Sequence, residues 1–164
     1  MKISFTLNHL PVEMEVEPNQ SLLNVLRTKG YHGAKKGCDT ADCGSCTVLV
    51  NGKAVLSCLL LAPSVQGCTV TTIEGLSPKP DESQQERLYS PEQKAFADEN
   101  AFQCGYCAPG LIMSTHELLS RYEELNAEEI RFHLSGNLCR CTGYEQQIQA
   151  VQNLFQKKKR GELG

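Results

Sequence analysis

Nine cysteines in a chain of 164 residues constrain its folding more than any other feature, because eight of them fall into two sets of four. The first set lies in the stretch GCDTADCGSC, Gly37 to Cys46, where Cys38, Cys43 and Cys46 are separated by four and by two residues. A fourth, Cys58, returns in VLSC. This is the spacing of plant-type loops that hold a [2Fe-2S] cluster. Thiolates are soft, negatively charged ligands suited to iron and sulfide, and four of them complete the tetrahedral coordination of two irons. Gly37 and Gly44 serve the same end, since glycine turns tightly and lets bare backbone N–H groups approach sulfur.

The rest of the composition narrows the setting. A formal net charge of -3 provides no basic field for nucleic acid, and the one concentrated basic run, Lys157 to Arg160, reads as a solvated C-terminal tail. Apolar runs such as Leu59 to Ala62 are far too short to span a bilayer, and the opening MKISFTLN alternates like a strand instead of forming a signal-peptide core. A soluble, cytoplasmic protein with no membrane or nucleic-acid partner is expected. In reducing cytosol an odd number of cysteines argues for metal binding over disulfides. Zinc is the competing reading for paired cysteines, weighed against the spacing of the first set. Cys68 stands outside both sets, in an expected strand, and reads as a buried, inert thiol.

Lys2 to Asn8 and Val12 to Glu17 alternate apolar and polar residues around Asn8-His9-Leu10-Pro11, the pattern of an antiparallel hairpin. Ser21 caps a short helix through Leu26 that Gly30 ends. Thr47 to Val50 and Lys53 to Cys58 flank Asn51-Gly52, a strong hairpin signal that carries Cys58 back toward the first loop. Cys68 to Ile73 reads as a closing strand. From Gly75 the texture becomes that of a linker, then of helices: Pro91 toward Ala101 behind a Ser90 capping box, Gly110 to about Leu125, a short helix opened by the Asn126 capping box and ended by Gly136, and Tyr144 to Phe155. The expected class is α+β, an N-terminal β-grasp, plant-type ferredoxin-like domain over 1–76, a linker over 77–89 and a four-helix bundle over 90–164 that carries the second cysteine set and the basic tail.

The second cysteine set lies in that helical half, as Cys104 and Cys107 in QCGYCAPG and Cys139 and Cys141 in GNLCRCTGY. Both motifs fall at expected helix junctions, so two pairs from two connections can enclose one cluster. Helix N-termini following Cys107 and Cys141 would direct partial positive charge at an anionic centre and favour its reduced state.

Taken together, GCDTADCGSCTV, the returning SC, QCGYCAPG and GNLCRCTGY resemble the iron-sulfur small subunit of the xanthine dehydrogenase family of molybdenum hydroxylases, from about Lys2 to Phe155. The resemblance implies two [2Fe-2S] clusters, one on Cys38, Cys43, Cys46 and Cys58 and one on Cys104, Cys107, Cys139 and Cys141. It implies a large molybdopterin-binding partner subunit and an FAD-binding one, in a hetero-oligomer such as a dimer of heterotrimers. Electrons would pass from molybdenum to the helical-domain cluster, then to the ferredoxin-domain cluster, then to flavin. Gln103 matches the family glutamine that contacts the pterin, and Cys141 the ligand nearest to it. Xanthine or another N-heterocycle is the substrate the resemblance suggests. Small subunits of aldehyde or carbon monoxide dehydrogenases of the same superfamily, and a free-standing two-cluster ferredoxin, are the alternatives.

Outside these motifs the plainer readings prevail. Gln103, without the resemblance, is an ordinary polar residue at a helix end. His9, His32, His116 and His133 are scattered and read as solvent-facing or structural. Arg140 reads equally as a cluster-tuning donor or a salt-bridge partner, and Tyr106 and Tyr144 as packing residues. No Ser/His/Asp grouping, Walker loop or dinucleotide fingerprint is present. The chain is expected to conduct electrons as a non-catalytic subunit of an oxidoreductase, with the substrate chemistry on a partner.

Overall fold

The computed structural model describes residues 1–77 and 89–163. Most of the expected linker, 78–88, lies outside the described residues. The chain begins with β1 (Lys2–Leu7) and β2 (Leu10–Glu15), paired antiparallel across Asn8 and His9. Both turn residues have positive φ, 48° and 70°, as a two-residue hairpin turn of the type that follows strand twist requires. The hairpin is therefore tighter than the sequence suggested. Leu10 and Pro11 belong to β2, which tolerates a proline because it is an edge strand.

Ser21 caps α1 (Leu22–Thr28) by accepting the Asn24 N–H at 3.3 Å. The helix closes as expected on Gly30, at φ 91°, with Gly30 N–H to Arg27 O and Tyr31 N–H to Leu26 O, the paired bonds of a Schellman ending. β3 (Thr47–Val50) and β4 (Lys53–Leu56) form the Asn51-Gly52 hairpin, and β5 (Thr69–Thr71) inserts between β1, to which it is parallel, and β3. The resulting sheet has the order β2-β1-β5-β3-β4. Its inner face buries Ile3, Phe5, Leu7, Val48 and Val70 against Leu22, Leu23, Val25 and Leu26 of α1. Cys68 immediately precedes β5 and is half-buried, not buried as the sequence suggested.

Among the described residues the second half contains four helices, α2 (Pro91–Asp98), α3 (Ala108–Arg121), α4 (Ala127–Leu134) and α5 (Glu145–Lys159). Reciprocal capping boxes open α2 at Ser90 with Gln93 and α4 at Asn126 with Glu129. Phe96, Leu111, Ile130, Leu134, Ile148, Val151, Leu154 and Phe155 form their shared core. α4 closes with Ser135 as its C-cap, and Gly136, the expected stop, follows directly, without a positive φ.

The basic run also differs from expectation. Lys157, Lys158 and Lys159 form the last turn of α5, and Lys158 is no solvated tail residue. Its Nζ donates to Leu119 O at 3.0 Å, Tyr122 O at 2.8 Å and Glu123 Oε1 at 3.0 Å. It thereby satisfies carbonyls left without partners at the C-terminus of α3, where the helix dipole also favours a cation.

The sheet and the helices meet at α3 and β3. Thr47, Val48 and Leu49 are consecutive and all buried, so β3 is covered on both faces. Leu49 and Met113 are buried yet belong to neither core, consistent with a junction between the two.

One buried charge tests the helical half. The Glu92 carboxylate, 8% exposed, accepts a hydrogen bond from His116 Nδ1 at 2.7 Å. Burial opposes ionisation, but His116 and the Ser90 hydroxyl outweigh it and hold the carboxyl below its ordinary 4.5. A carboxyl lowered in the folded protein stabilises fully above the unfolded value, and that contribution fades as pH falls through the folded one. Glu92→Gln should therefore lose about 1 kcal/mol relative to the parent near neutral pH, with the gap closing in thermal unfolding as pH falls below the ordinary carboxylate range. A gap independent of pH would contradict the lowered carboxyl.

Candidate iron-sulfur sites and their junction

The first cysteine set occupies the loop between α1 and β3. Arg27 Nη1 ties the start of the loop to α1 through Ala34 O at 3.0 Å, and Lys35 N–H to Ser45 O at 3.0 Å closes it on itself. Gly37 lies against sulfur: a Cβ there would come within 3.0 Å of Cys43 Sγ and of Ser45 Oγ. Cys58 is returned by its neighbour Ser57, whose Oγ donates to Cys46 O at 2.7 Å while its own carbonyl accepts from Leu23 N–H.

The electrostatics of the loop sort its sulfurs into neighbours. The Cys38 thiol is lowered to about 6, first by the Cys43 N–H, then by the Cys43 thiol and the Thr40 N–H. Backbone amides converging on one sulfur form an anion cradle. Burial pushes Cys58 up to about 12, and neighbouring Cys46 adds to the rise. Cys38 thus interacts foremost with Cys43, and Cys58 with Cys46.

The second set draws on two helix junctions. Cys104 and Cys107 lie between α2 and α3, with Gly105 at φ 77° between them and Cys107 as the N-cap residue of α3. Cys139 and Cys141 lie between α4 and α5. Tyr144, left-handed at φ 68°, shapes this loop: its hydroxyl accepts the Cys139 N–H at 2.6 Å and donates to Asn137 O at 3.2 Å. The sulfurs of Cys104 and Cys141 are 3.5 Å apart. Cys107, pushed up to about 12 by burial, has Cys139 as its next largest influence. Burial opposes ionisation of Cys139 too, but the Thr142 hydroxyl and amide, with the Cys141 N–H, bring it below its ordinary value. Cys104 is lowered first by the Tyr106 N–H, and Cys141 raised first by the Cys104 thiol.

Helix dipoles contribute unevenly. α3 begins directly after Cys107, as expected, whereas α5 starts at Glu145, beyond an intervening Thr142-Gly143-Tyr144 turn. In place of a helix end, Cys139 receives the Thr142 hydroxyl at 3.1 Å.

Between the two sets the backbones touch. Leu138 N–H donates to Cys43 O at 2.9 Å. Buried Asn137 donates through Nδ2 to Gly44 O at 3.0 Å and to Thr47 Oγ1 at 3.2 Å, and its Oδ1 accepts the Ser114 hydroxyl at 2.7 Å. Gly44 and Gly110 permit the approach, since a Cβ on Gly44 would collide with Gly136 O and one on Gly110 with Gly44 O. The Tyr106 hydroxyl adds a bond to Lys36 O at 2.7 Å. Cys43 of the first set and all four cysteines of the second line one shallow cavity of about 190 Å³.

The residues singled out in the sequence are distributed plainly. Cys104 and Cys141 are exposed, Cys107 is buried, and Cys139 is half-buried. Gln103 is exposed next to Cys104. Around them Phe102, Tyr106 and Leu138 are exposed apolar residues. Arg140 is exposed and makes no ion pair among the described residues. Tyr106 and Tyr144 are not simple packing residues, because each spends its hydroxyl on a loop backbone. Asn137, Thr142 and Gln147 escaped notice. Asn137 sits inside GNLCRC as an uncharged polar side chain beside a ligand motif, and only its burial distinguishes it.

The comparisons with known proteins agree with this geometry. Residues 5–95 match the family described as 2Fe-2S iron-sulfur cluster binding domain, and residues 72–152 the one described as [2Fe-2S] binding domain. The chain is 42% identical over 151 residues to the xanthine dehydrogenase iron-sulfur-binding subunit of Escherichia coli O157:H7, covering 91% of each. It is 38% identical over 170 residues to the aldehyde oxidoreductase iron-sulfur-binding subunit PaoA of Escherichia coli, covering 93% of this chain and 71% of that one. Quinoline 2-oxidoreductase from Pseudomonas putida 86 contains a chain that superposes with a TM-score of 0.88 at 38% identity, over 99% of this chain and 98% of that one. The chain belongs to the [2Fe-2S] small subunits of the xanthine dehydrogenase and aldehyde oxidoreductase family, the molybdenum hydroxylases. It is an iron-sulfur electron-transfer subunit with two [2Fe-2S] binding domains, part of a multi-subunit oxidoreductase. No described helix is long and apolar enough to cross a membrane.

Asn137→Ala removes three hydrogen bonds at the junction and leaves the Ser114 hydroxyl without its acceptor, while Gly44 O keeps the Thr47 hydroxyl and N–H. A loss of about 2 kcal/mol in stability is expected, read by denaturant unfolding. A neutral result would show that the junction does not depend on this side chain.

Proposed function

We propose that Cys38 and Cys43 hold one iron and Cys46 and Cys58 the other of the first cluster, and that Cys104 with Cys141 and Cys107 with Cys139 divide the second in the same way. The neighbour pairs among the sulfurs support this division, the Cys104–Cys141 contact of 3.5 Å above all. Bound there, the clusters supply one-electron carriers. The protein's own part is to fix the sulfurs, shield Cys107 and Cys46, and leave Cys104 and Cys141 open at the surface.

That opening carries the functional reading. Electrons enter from the molybdopterin centre of a large partner subunit at the exposed Cys104/Cys141 edge, where Gln103 and Cys141 contact the pterin, and leave through the Cys38/Cys43/Cys46/Cys58 site toward FAD in another subunit. Phe102, Tyr106 and Leu138, exposed around the edge, suit burial against a partner. Domains spanning 1–76 and 90–164, joined by 77–89, a cytoplasmic location and a dimer of heterotrimers complete the reading. The substrate is xanthine or another N-heterocycle, supported by the relatives named for xanthine and quinoline. The relative named for an aldehyde supports the second reading, an aldehyde dehydrogenase subunit.

Metal and sulfide analysis of the native complex should give about four irons and four labile sulfides per chain, with two EPR signals on reduction. Stoichiometric zinc without sulfide would overturn the ligand assignment. Molybdenum and flavin should accompany the chain through purification; a chain that purifies alone would favour the free-standing ferredoxin.

Gln103→Ala should slow substrate reduction of the second cluster by about tenfold, a barrier increase of about 1.4 kcal/mol, while leaving both EPR line shapes intact. An unchanged rate would remove Gln103 from the route.

A further inference from the structure

Gln147 is an uncommon residue for its position. It lies on the first turns of α5, completely buried, and its Oε1 has no hydrogen-bond partner. An orphaned buried amide oxygen is costly, about 1–3 kcal/mol by general experience, and a leucine would fill such a site without that cost. Its Nε2 explains its presence. It donates to Ala101 O and, at 2.9 Å, to Thr142 Oγ1.

These two bonds fix the direction of a third. Ala101 O is a carbonyl and can only accept, so the amide must turn its NH2 group toward Ala101 and Thr142. Thr142 Oγ1 then accepts from Gln147 and, more weakly at 3.4 Å, from Tyr144 N–H. With both lone pairs engaged, its single proton has one acceptor left, Cys139 Sγ at 3.1 Å. Were the amide reversed, its oxygen would face the Ala101 carbonyl and draw the hydroxyl proton away from sulfur.

We propose that Thr142 and Gln147 form a positioning relay that locks a hydroxyl donor onto the Cys139 sulfur and so raises the reduction potential of the helical-domain cluster. The inference rests on the reading of Cys139 as a cluster ligand. A hydrogen bond to a ligating sulfur stabilises the more negative, reduced cluster more than the oxidised one, and such bonds are among the factors that set cluster potentials. Reduction adds one electron to the cluster and breaks no bond in the relay. The relay singles out one centre, because its sulfur acceptor belongs to the second set alone. It biases electron arrival toward the site that faces the entry edge.

Redox titration of the native complex, followed by the two EPR signals, tests this. Thr142→Val keeps the shape of a half-buried side chain and removes the hydroxyl. At fixed ambient potential the reduced-to-oxidised ratio of the helical-domain cluster should fall by about tenfold, which is about 59 mV for a one-electron couple. The other cluster should not move, and Thr142→Ser should restore the parent value. Gln147→Met should lower the same potential by a smaller amount, because the hydroxyl remains but is free to rotate. Full iron content with no change in potential for Thr142→Val would overturn the relay. A parent protein that lacks the second cluster altogether would instead overturn the ligand assignment beneath it.

Discussion

The structure depends on the backbone contact in which Leu138 N–H meets Cys43 O while Asn137 reaches Gly44 O. It joins two cysteine loops more than 90 positions apart in sequence, as the Asn137–Gly44 separation of 93 shows. One residue beyond Leu138 is Cys139, so the bond runs between a cysteine of one set and the neighbour of a cysteine of the other. Neither loop could approach so closely with a side chain at Gly44 or Gly110. The sheet and the helices are therefore more than two independent binding units. Burial of β3 beneath α3 gives the contact a rigid backing, and the Ser114 hydroxyl holds Asn137 from that same helix.

Gathering four cysteine sulfurs at one site carries an electrostatic cost once they ionise, which the protein meets unevenly. Cys38 and Cys104, near the surface, are lowered chiefly by backbone N–H donors, while Cys58 and Cys107 are raised chiefly by burial. Each set thus combines a sulfur whose ionisation backbone donors favour with one whose ionisation burial opposes. A metal cluster overcomes that opposition, since a coordinating thiol is deprotonated by the ion it binds. Zinc does the same, so ligand chemistry alone does not choose between them. The choice comes from family membership, with two [2Fe-2S] domains matched across the chain.

Much of this was legible in the sequence because the informative signals were local. Asn51-Gly52, Ser90-Pro91 and the Asn126 box each specify a turn or cap through contacts a few residues apart, and each forms as expected. The cysteine motifs declared their chemistry for the same reason. What escaped were contacts whose partners are remote in the chain. Lys158 looked like a tail residue because nothing nearby hinted at the free carbonyls of α3. Tyr106 looked like packing because its acceptor, Lys36 O, belongs to the other half of the chain. Asn137 and Gln147 are polar residues whose meaning arises only from burial, which periodicity does not reveal for a single uncharged side chain.

The central claim is that this chain conducts in series, with the second set receiving electrons before the first. Replacing Cys43 by serine in the native complex and following substrate reduction by freeze-quench EPR tests that order most directly. The account predicts that the helical-domain signal still develops at its normal rate while the other signal and flavin reduction are lost. Flavin reduced at an undiminished rate in that variant would contradict it.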